Sequence, residues 1–288
     1  MTIQAAPLAD RSLLEISGED RTGFLQGLVT NDMEGLTEGS ACFAGLLTPQ
    51  GKVLFEFFAV STGEAIVLDC AAAVAAGLSE RLAFYKLRAK VALKDVSARW
   101  CVAAAWGDGA AEALKANAAI AFLDPRLAAL GVRALIERDT APDFGLSASD
   151  YEAMRISATV PEGGKDYKFG DAFPHEACFD LLHGVSFKKG CFVGQEVVSR
   201  MQHRGTARTR VLAVSAEAPL PAGGADILAD GFAVGRLGSV SGTHGIALAR
   251  LDHVVEALTA GHALTADGVP IMLSVPSWAT YSLDGAAH

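Results

Sequence analysis

The sequence predicts an α+β protein ending in a small all-β domain, and three observations carry that expectation. Strand-like and helix-like runs succeed one another up to about residue 205. From Arg208 onward the texture changes to short apolar strands separated by glycines. The length, 288 residues, corresponds to about two folding units at roughly 150 residues each.

The elements follow in order. Ser12 to Ile16 reads as a strand, and Gly18-Glu19-Asp20 supplies turn and cap chemistry. The apolar spacing of Phe24, Leu25, Leu28 and Val29 then predicts a helix, with Asn31 and Asp32 just past its end. Three strands are expected at Cys42 to Leu47, Val53 to Val60 and Ala65 to Leu68, the first two joined by a Pro49-Gln50-Gly51 turn. Ala71 to Arg88, rich in Ala and Leu, predicts a helix. Strands return at Lys90 to Val96, Cys101 to Trp106, Ala119 to Leu123 and Val132 to Glu137, with a short helix near Glu112 to Asn117. Ser147 to Asp150 caps a helix carrying Tyr151, Met154, Arg155 and Ile156, which Pro161 and Gly163-Gly164 end. Short helical segments are expected at Phe179 to Val185 and Gln195 to Gln202. The tail strands are Val211 to Val214, Ile227 to Leu228, Ala233 to Leu237 and Ile246 to Leu251, with Gly223-Gly224 a turn and the domain boundary near Gly205 to Arg210.

Composition excludes several classes. Hydrophobic residues make up 51% and charged residues 20%, with a net charge of -9, which argues against a protein coated by nucleic acid. The five cysteines (Cys42, Cys70, Cys101, Cys178, Cys191) are odd in number and form no C-x-x-C pair, against both a disulfide framework and a zinc knuckle and in favour of a reducing cytoplasm. No secretion signal or bilayer-length apolar run is evident, so no membrane association is expected. Motifs for nucleotide binding, hydrolase chemistry and metal ligation are absent, and the seven histidines, His288 among them, are dispersed.

Charge is unevenly placed. Ser186 to Arg210 holds Lys188, Lys189, Arg200, Arg204, Arg208 and Arg210 against Glu196, a local balance of +5 that leaves -14 for the remainder. Such a patch attracts an anionic ligand; a solvated helix face with an i,i+4 Glu196–Arg200 pair is the alternative. Within it, Cys191 follows Lys188-Lys189-Gly190 just before a helix start at Gly194-Gln195, where ammonium groups and the helix dipole favour a thiolate. An inert cysteine packed beside Phe192 and Val193 is the alternative there.

The run Lys189-Gly190-Cys191-Phe192-Val193-Gly194-Gln195-Glu196 resembles the K-G-C-[YF]-x-G-Q-E signature of the folate-binding YgfZ proteins and of the related mitochondrial iron-sulfur assembly factor. Supporting runs are Phe24 to Asp32, Leu47 to Lys52, Asp124-Pro125-Arg126, Pro174-His175-Glu176 and Ser199 to Gly205, so the resemblance covers nearly the whole chain. It implies a three-part fold like the glycine-cleavage T protein around a central folate-sized opening. Its first piece would combine 1–45 with 140–205, its second span 46–139, and its third be a β-barrel-like domain at 206–288.

The implied function is support of 4Fe-4S cluster assembly or repair in client enzymes, including radical enzymes that modify tRNA. Tetrahydrofolate, optionally polyglutamylated, is the implied cofactor, and iron-sulfur carrier or client proteins are the partners. On this resemblance Cys191, Lys189, Gln195 and Glu196 form the reactive set. Asn31, Asp32, Arg155, Glu176, Lys188, Arg200, His203 and Arg204 are the folate-contact set. Turn chemistry at Asn31-Asp32 and helix-surface ion pairs for Arg155 and Glu176 are the alternatives. Tetrahydrofolate-dependent aminomethyl transfer is the rival activity. The T protein has an acidic pair where this chain has Phe55-Glu56, so one acid is missing. A third reading is a thiol scaffold, for which one cysteine needs donors from elsewhere to complete a cluster.

Overall fold

Strand β1 (Ala6–Pro7) and strand β2 (Arg11–Ser17) lead into helix α1 (Arg21–Gln26). The chain continues through β3 (Ala41–Leu47), β4 (Val53–Ser61), β5 (Ala65–Ala71), α2 (Ala72–Lys86), β6 (Ala92–Asp95), β7 (Trp100–Ala105), α3 (Ala110–Lys115), β8 (Ile120–Leu123) and β9 (Val132–Glu137). Helices α4 (Ala148–Ser157) and α5 (Gln195–Arg204) precede β10 (Thr209–Ser215), β11 (Asp226–Ala229), β12 (Phe232–Ser241) and β13 (His244–Arg250). Helix α6 (Leu251–Thr259), β14 (Leu264–Ala266) and β15 (Val269–Ser274) complete the fold. These elements belong to a computed structural model that describes residues 4–205 and 207–283. His288 and one residue of the expected domain boundary lie outside them.

The chain divides into two compact units. The first takes the chain up to Pro49 with Leu54–Tyr151 and Leu182–Gln195; the second takes Gln50–Val53, Glu152–Leu181 and everything from Glu196. This is a different partition from the three pieces implied by resemblance, chiefly because the stretch after α4 groups with the barrel. Polar ties explain that grouping: Arg155 donates to Ser239 Oγ (2.7 Å), Trp278 Nε1 donates to the Ala158 carbonyl (2.9 Å), and Arg210 pairs with Asp180 (2.8 Å).

The first unit holds two sheets. One has the order β3-β4-β5-β2-β6, with Leu14 opposite Leu68 and Ile16 opposite Leu93. Alternation along β4 sends Phe55, Phe57 and Ala59 into a core with Leu25, Val29, Leu78 and Leu82 from α1, the following loop and α2. Phe58, on the other face, meets three arginines described below. The second sheet, β1-β7-β9-β8, packs small residues such as Ala103, Ala105 and Ala134 against Leu114 of α3.

The second unit is built on a closed six-strand barrel, β10-β13-β12-β11-β14-β15, sealed where Val214 of β10 pairs with Leu273 of β15. Its interior is filled by Leu212, Ile227, Leu237, Ala247, Leu264 and their neighbours. Most expected strands occur within a residue or two of their sequence-based limits. The stretch Phe179 to Val185 forms turns instead of the expected helix, because Cys178 and His183 both adopt the left-handed conformation (φ +57° each), which interrupts a helical hydrogen-bond ladder. Helix α6 and strands β14 and β15 had no counterpart among the sequence expectations.

Candidate functional site

Helix α1 ends at Gln26, and its last carbonyls have no partner within the helix. Lys189 supplies one from far along the chain. Its Nζ donates to the carbonyls of Gln26 (2.8 Å), Val29 (2.7 Å) and Asn31 (2.7 Å), using all three ammonium donors. The same Nζ lies 5.3 Å from the ring centre of Phe192, which is buried. Burial pushes the Lys189 pKa down to about 8, against the opposing pull of Asp32, Cys42 and Glu34.

Two anchors therefore flank Cys191: the Lys189 ammonium in its carbonyl cage and the Phe192 ring in the protein, with Val193 packed against the main core. Gly190 and Cys191 between them are exposed. Gly194 follows in the left-handed region (φ +82°), and α5 begins at Gln195. Cys191 is thus not sealed beside Phe192 and Val193. The remaining thiols differ in kind. Burial pushes Cys42 and Cys70 up to about 12 and raises Cys101 and Cys178 as well. Lys189 spends its three donors on carbonyls, which makes it a clamp on the loop that carries the thiol.

Asn31 and Asp32 fold the turn that Lys189 grips. Asn31 Nδ2 donates to the carbonyls of Phe43 and His183 (2.7 Å each), and its Oδ1 accepts from the Asp32 amide (2.9 Å). Asp32 Oδ1 accepts from Gln26 Nε2 (2.9 Å) and the Glu34 amide (3.1 Å). Asp32 Oδ2 makes no hydrogen bond among the described residues and remains available. Gln26, which sequence reasoning passed over, closes the turn by also accepting from the Met33 amide (2.7 Å).

Of the other expected contact residues, Lys188 lies in the first unit, while Arg155, Glu176, Arg200, His203 and Arg204 lie in the second. Arg155 is fully buried, and its donors go to Glu152 (2.9 Å), the Val160 carbonyl (2.7 Å), Asp166 (2.6 Å) and Ser239 (2.7 Å). Burial works against its charge, but Asp166, Glu152 and Glu162 outweigh it and hold the guanidinium pKa above its ordinary value. A ligand would have to displace one of these partners, so the geometry gives Arg155 a structural role. Glu176 accepts from the Phe173 amide (2.8 Å) in a turn. On α5, Glu196 and Arg200 form the i,i+4 pair (2.7 Å) with both side chains exposed. His203 and Arg204 are exposed at its end.

The basic segment is consequently less free than its composition suggests. Lys189, Arg200 and Arg210 are committed to partners, while Lys188, Arg204 and Arg208 are exposed and make no ion pair among the described residues. Gln195 is the last residue of the first unit, and Glu196 begins the final stretch of the second. Phe55 belongs to the core and Glu56 is buried beside it on the strand's other face. Among the described residues no group of three His, Cys, Asp or Glu side chains could hold a metal ion, and no helix is long and apolar enough to cross a membrane.

A buried ionic cluster in the first unit escaped sequence reasoning. Asp69 accepts from Arg11 Nε (2.6 Å) and Arg133 Nη2 (2.7 Å), Asp124 pairs with Arg126 (2.7 Å), and the Tyr151 hydroxyl joins Arg126 (3.0 Å) to Arg133 (3.1 Å). Arg133 and Arg126 lie over the Phe58 ring at 4.3 and 4.8 Å. The available signals were Asp69 within an apolar strand and the Asp124-Pro125-Arg126 run.

Residues 208–281 match the C-terminal β-barrel domain of CAF17. The chain is 32% identical to the human mitochondrial iron-sulfur cluster assembly factor IBA57 and 31% identical to that of Mus musculus, in each case over 94% of this chain and 84% of the relative. The IBA57 homolog of Mycosarcoma maydis is 32% identical over 74% of this chain, which spans only 57% of that protein. Among solved structures, the glycine cleavage system aminomethyltransferase T of Bartonella henselae superposes with a TM-score of 0.72 at 16% identity, covering 96% of this chain and 86% of that one. That likeness establishes a T-protein-like fold.

Proposed function

The chain belongs to the IBA57-type family of iron-sulfur cluster assembly factors, and on that footing we propose that it acts in 4Fe-4S cluster assembly or repair through Cys191, with folate as a bound cofactor. The observation that carries the reading is the exposed thiol on a loop clamped from both sides. An anchored loop presents a sulfur to another protein without the entropy cost of ordering it at encounter. On ligating iron the thiol gives up its proton and contributes one sulfur donor. The remaining positions of a four-iron cluster are filled by a carrier or client protein, because one cysteine cannot fill four.

Folate fits part of what the structure offers. Within the first unit, Asp32 Oδ2 is an open acceptor suited to the amino edge of a pterin and Lys188 is an exposed cation suited to a glutamate tail. Asn31 acts through Asp32, whose amide it accepts, and Glu176 through the turn it closes. Service to tRNA-modifying radical enzymes and a cytoplasmic setting remain part of the proposal; the named relatives are mitochondrial. Aminomethyl transfer is disfavoured, since Phe55 lies in the core and cannot supply the second carboxylate.

Two measurements test the reading. In a cell lacking the protein, Cys191→Ala should fail to restore the activity of a cluster-dependent enzyme; full restoration removes the thiol from the mechanism. Tetrahydrofolate should quench the fluorescence of Trp100, Trp106 or Trp278 saturably, more tightly and with greater salt sensitivity as glutamates are added. Absence of saturation in the millimolar range overturns the folate claim.

A further inference from the structure

The second unit contains a cleft of about 890 Å³, within the size range of small-molecule sites, that the Cys191 chemistry does not use. One wall is the loop from Gly164 to Phe169; the other is β12 with the turn at Gly223-Gly224. Hydrogen bonds tie its two walls together. Asp166, buried, accepts from the amides of Glu162 (2.8 Å) and Ser239 (2.7 Å) and from Arg155 (2.6 Å), which fastens the loop to β12. Glycine is required where the backbones meet: a Cβ on Gly238 would stand 2.5 Å from Asp166 Oδ1, and one on Gly223 would stand 2.3 Å from the Gly238 carbonyl oxygen. The Phe169 ring is set against Gly163 and edge-on to Tyr167, with centroids 5.9 Å apart.

Charge at this cleft is positive in a chain whose net charge is -9. Lys165 is held by Glu152 (3.1 Å) and Glu162 (3.3 Å), and Asp166 is answered by Arg155. Lys168 and Arg236 are different: both line the cleft, both are exposed, and neither makes an ion pair among the described residues. Asp226 is opposite Arg236 in the β11–β12 register without forming one.

We propose that this cleft binds a small organic dianion with a flat apolar body, its charges met by Lys168 and Arg236 and its body by Phe169. A guanidinium fork suits carboxylate and phosphate alike, and an aromatic wall suits a planar ring. The proposal does not depend on Cys191 or on the folate reading.

Phenyl phosphate and phthalate serve as probes, with inorganic phosphate and benzyl alcohol as controls, and binding is followed on the full chain by backbone amide NMR of Gly164, Gly223, Gly224 and Gly238. At least one aryl dianion should shift these amides saturably. Lys168→Gln and Arg236→Gln should each weaken it about tenfold, the loss expected for one charge-assisted hydrogen bond. The tighter of the two probes assigns the ligand to the phosphates or the carboxylates. Phe169→Leu should weaken the aryl probe while leaving inorganic phosphate unchanged. Failure of both dianions to saturate overturns the site, as does unchanged affinity in the Lys168→Gln/Arg236→Gln double variant, whose exposed positions leave the fold intact. Equal affinity for inorganic phosphate and the aryl probes overturns the flat-body assignment.

Discussion

Lys189 unites most of what is unusual about the Cys191 loop. A lysine whose ammonium fills a cage of three carbonyls is held more tightly than an exposed one, and burial makes its proton easier to lose. Its Cε resonance should titrate near pH 8 instead of the ordinary value of about 10.4. Asp32 is among the groups that favour the charged form, so Asp32→Asn should move that midpoint lower. A midpoint that stays put or rises in the variant would contradict the placement of Asp32 beside the clamp. Sequence reasoning singled out Lys189 for its charge next to Cys191. Its mechanical role depends on carbonyls about 160 positions away in the chain, and local spacing carries no trace of them.

At the level of elements, the barrel is held by close backbone approach as much as by its apolar filling. Gly235 of β12 faces Ala249 of β13, and a Cβ on Gly235 would lie 2.6 Å from the Ala249 Cβ. Gly235→Val should therefore destabilise the protein by about 1–3 kcal/mol, the usual cost of overpacking, measured as a lowered denaturation midpoint. A neutral effect would mean that the two strands separate more easily than their pairing implies. Four of the six barrel strands, β10 to β13, were legible because they are short apolar runs punctuated by glycine; β14 and β15 were not. Helix α6 was not, since Leu251 continues the apolar run of β13 and only Val254 and Ala257 turn inward after it.

At the largest scale, the buried ionic cluster joins the two sheets of the first unit, Asp69 lying on β5, Arg11 on β2 and Arg133 on β9. Burial alone would raise the Asp69 pKa, but Arg11 and Arg133 hold it below its ordinary value. Such a carboxylate contributes stability fully above the unfolded value of about 3.9 and loses it as pH falls through the lower folded value. Asp69→Asn removes the buried carboxylate that Arg11 and Arg133 share and should cost about 3–5 kcal/mol at neutral pH, with a shallower loss of stability on acidification. A variant with unchanged midpoint and an unchanged acid limb would assign the cluster no energetic role.

Taken alone, the sequence determined most of the strand and helix succession up to β13, the β-rich tail and the motif around Cys191, because period, turn chemistry and short motifs are local properties of the chain. Tertiary structure decided which charges remain available. Of the six cations in the 186–210 segment, three are neutralised or caged by partners, and Arg155 is consumed by acids and a barrel serine. Tertiary structure also turned Lys168 and Arg236, unremarkable in sequence, into neighbours of one cleft. The physical reason is that a charge is spent or spared by what lies within a few ångströms of it, and those neighbours come from chain segments that only folding brings together.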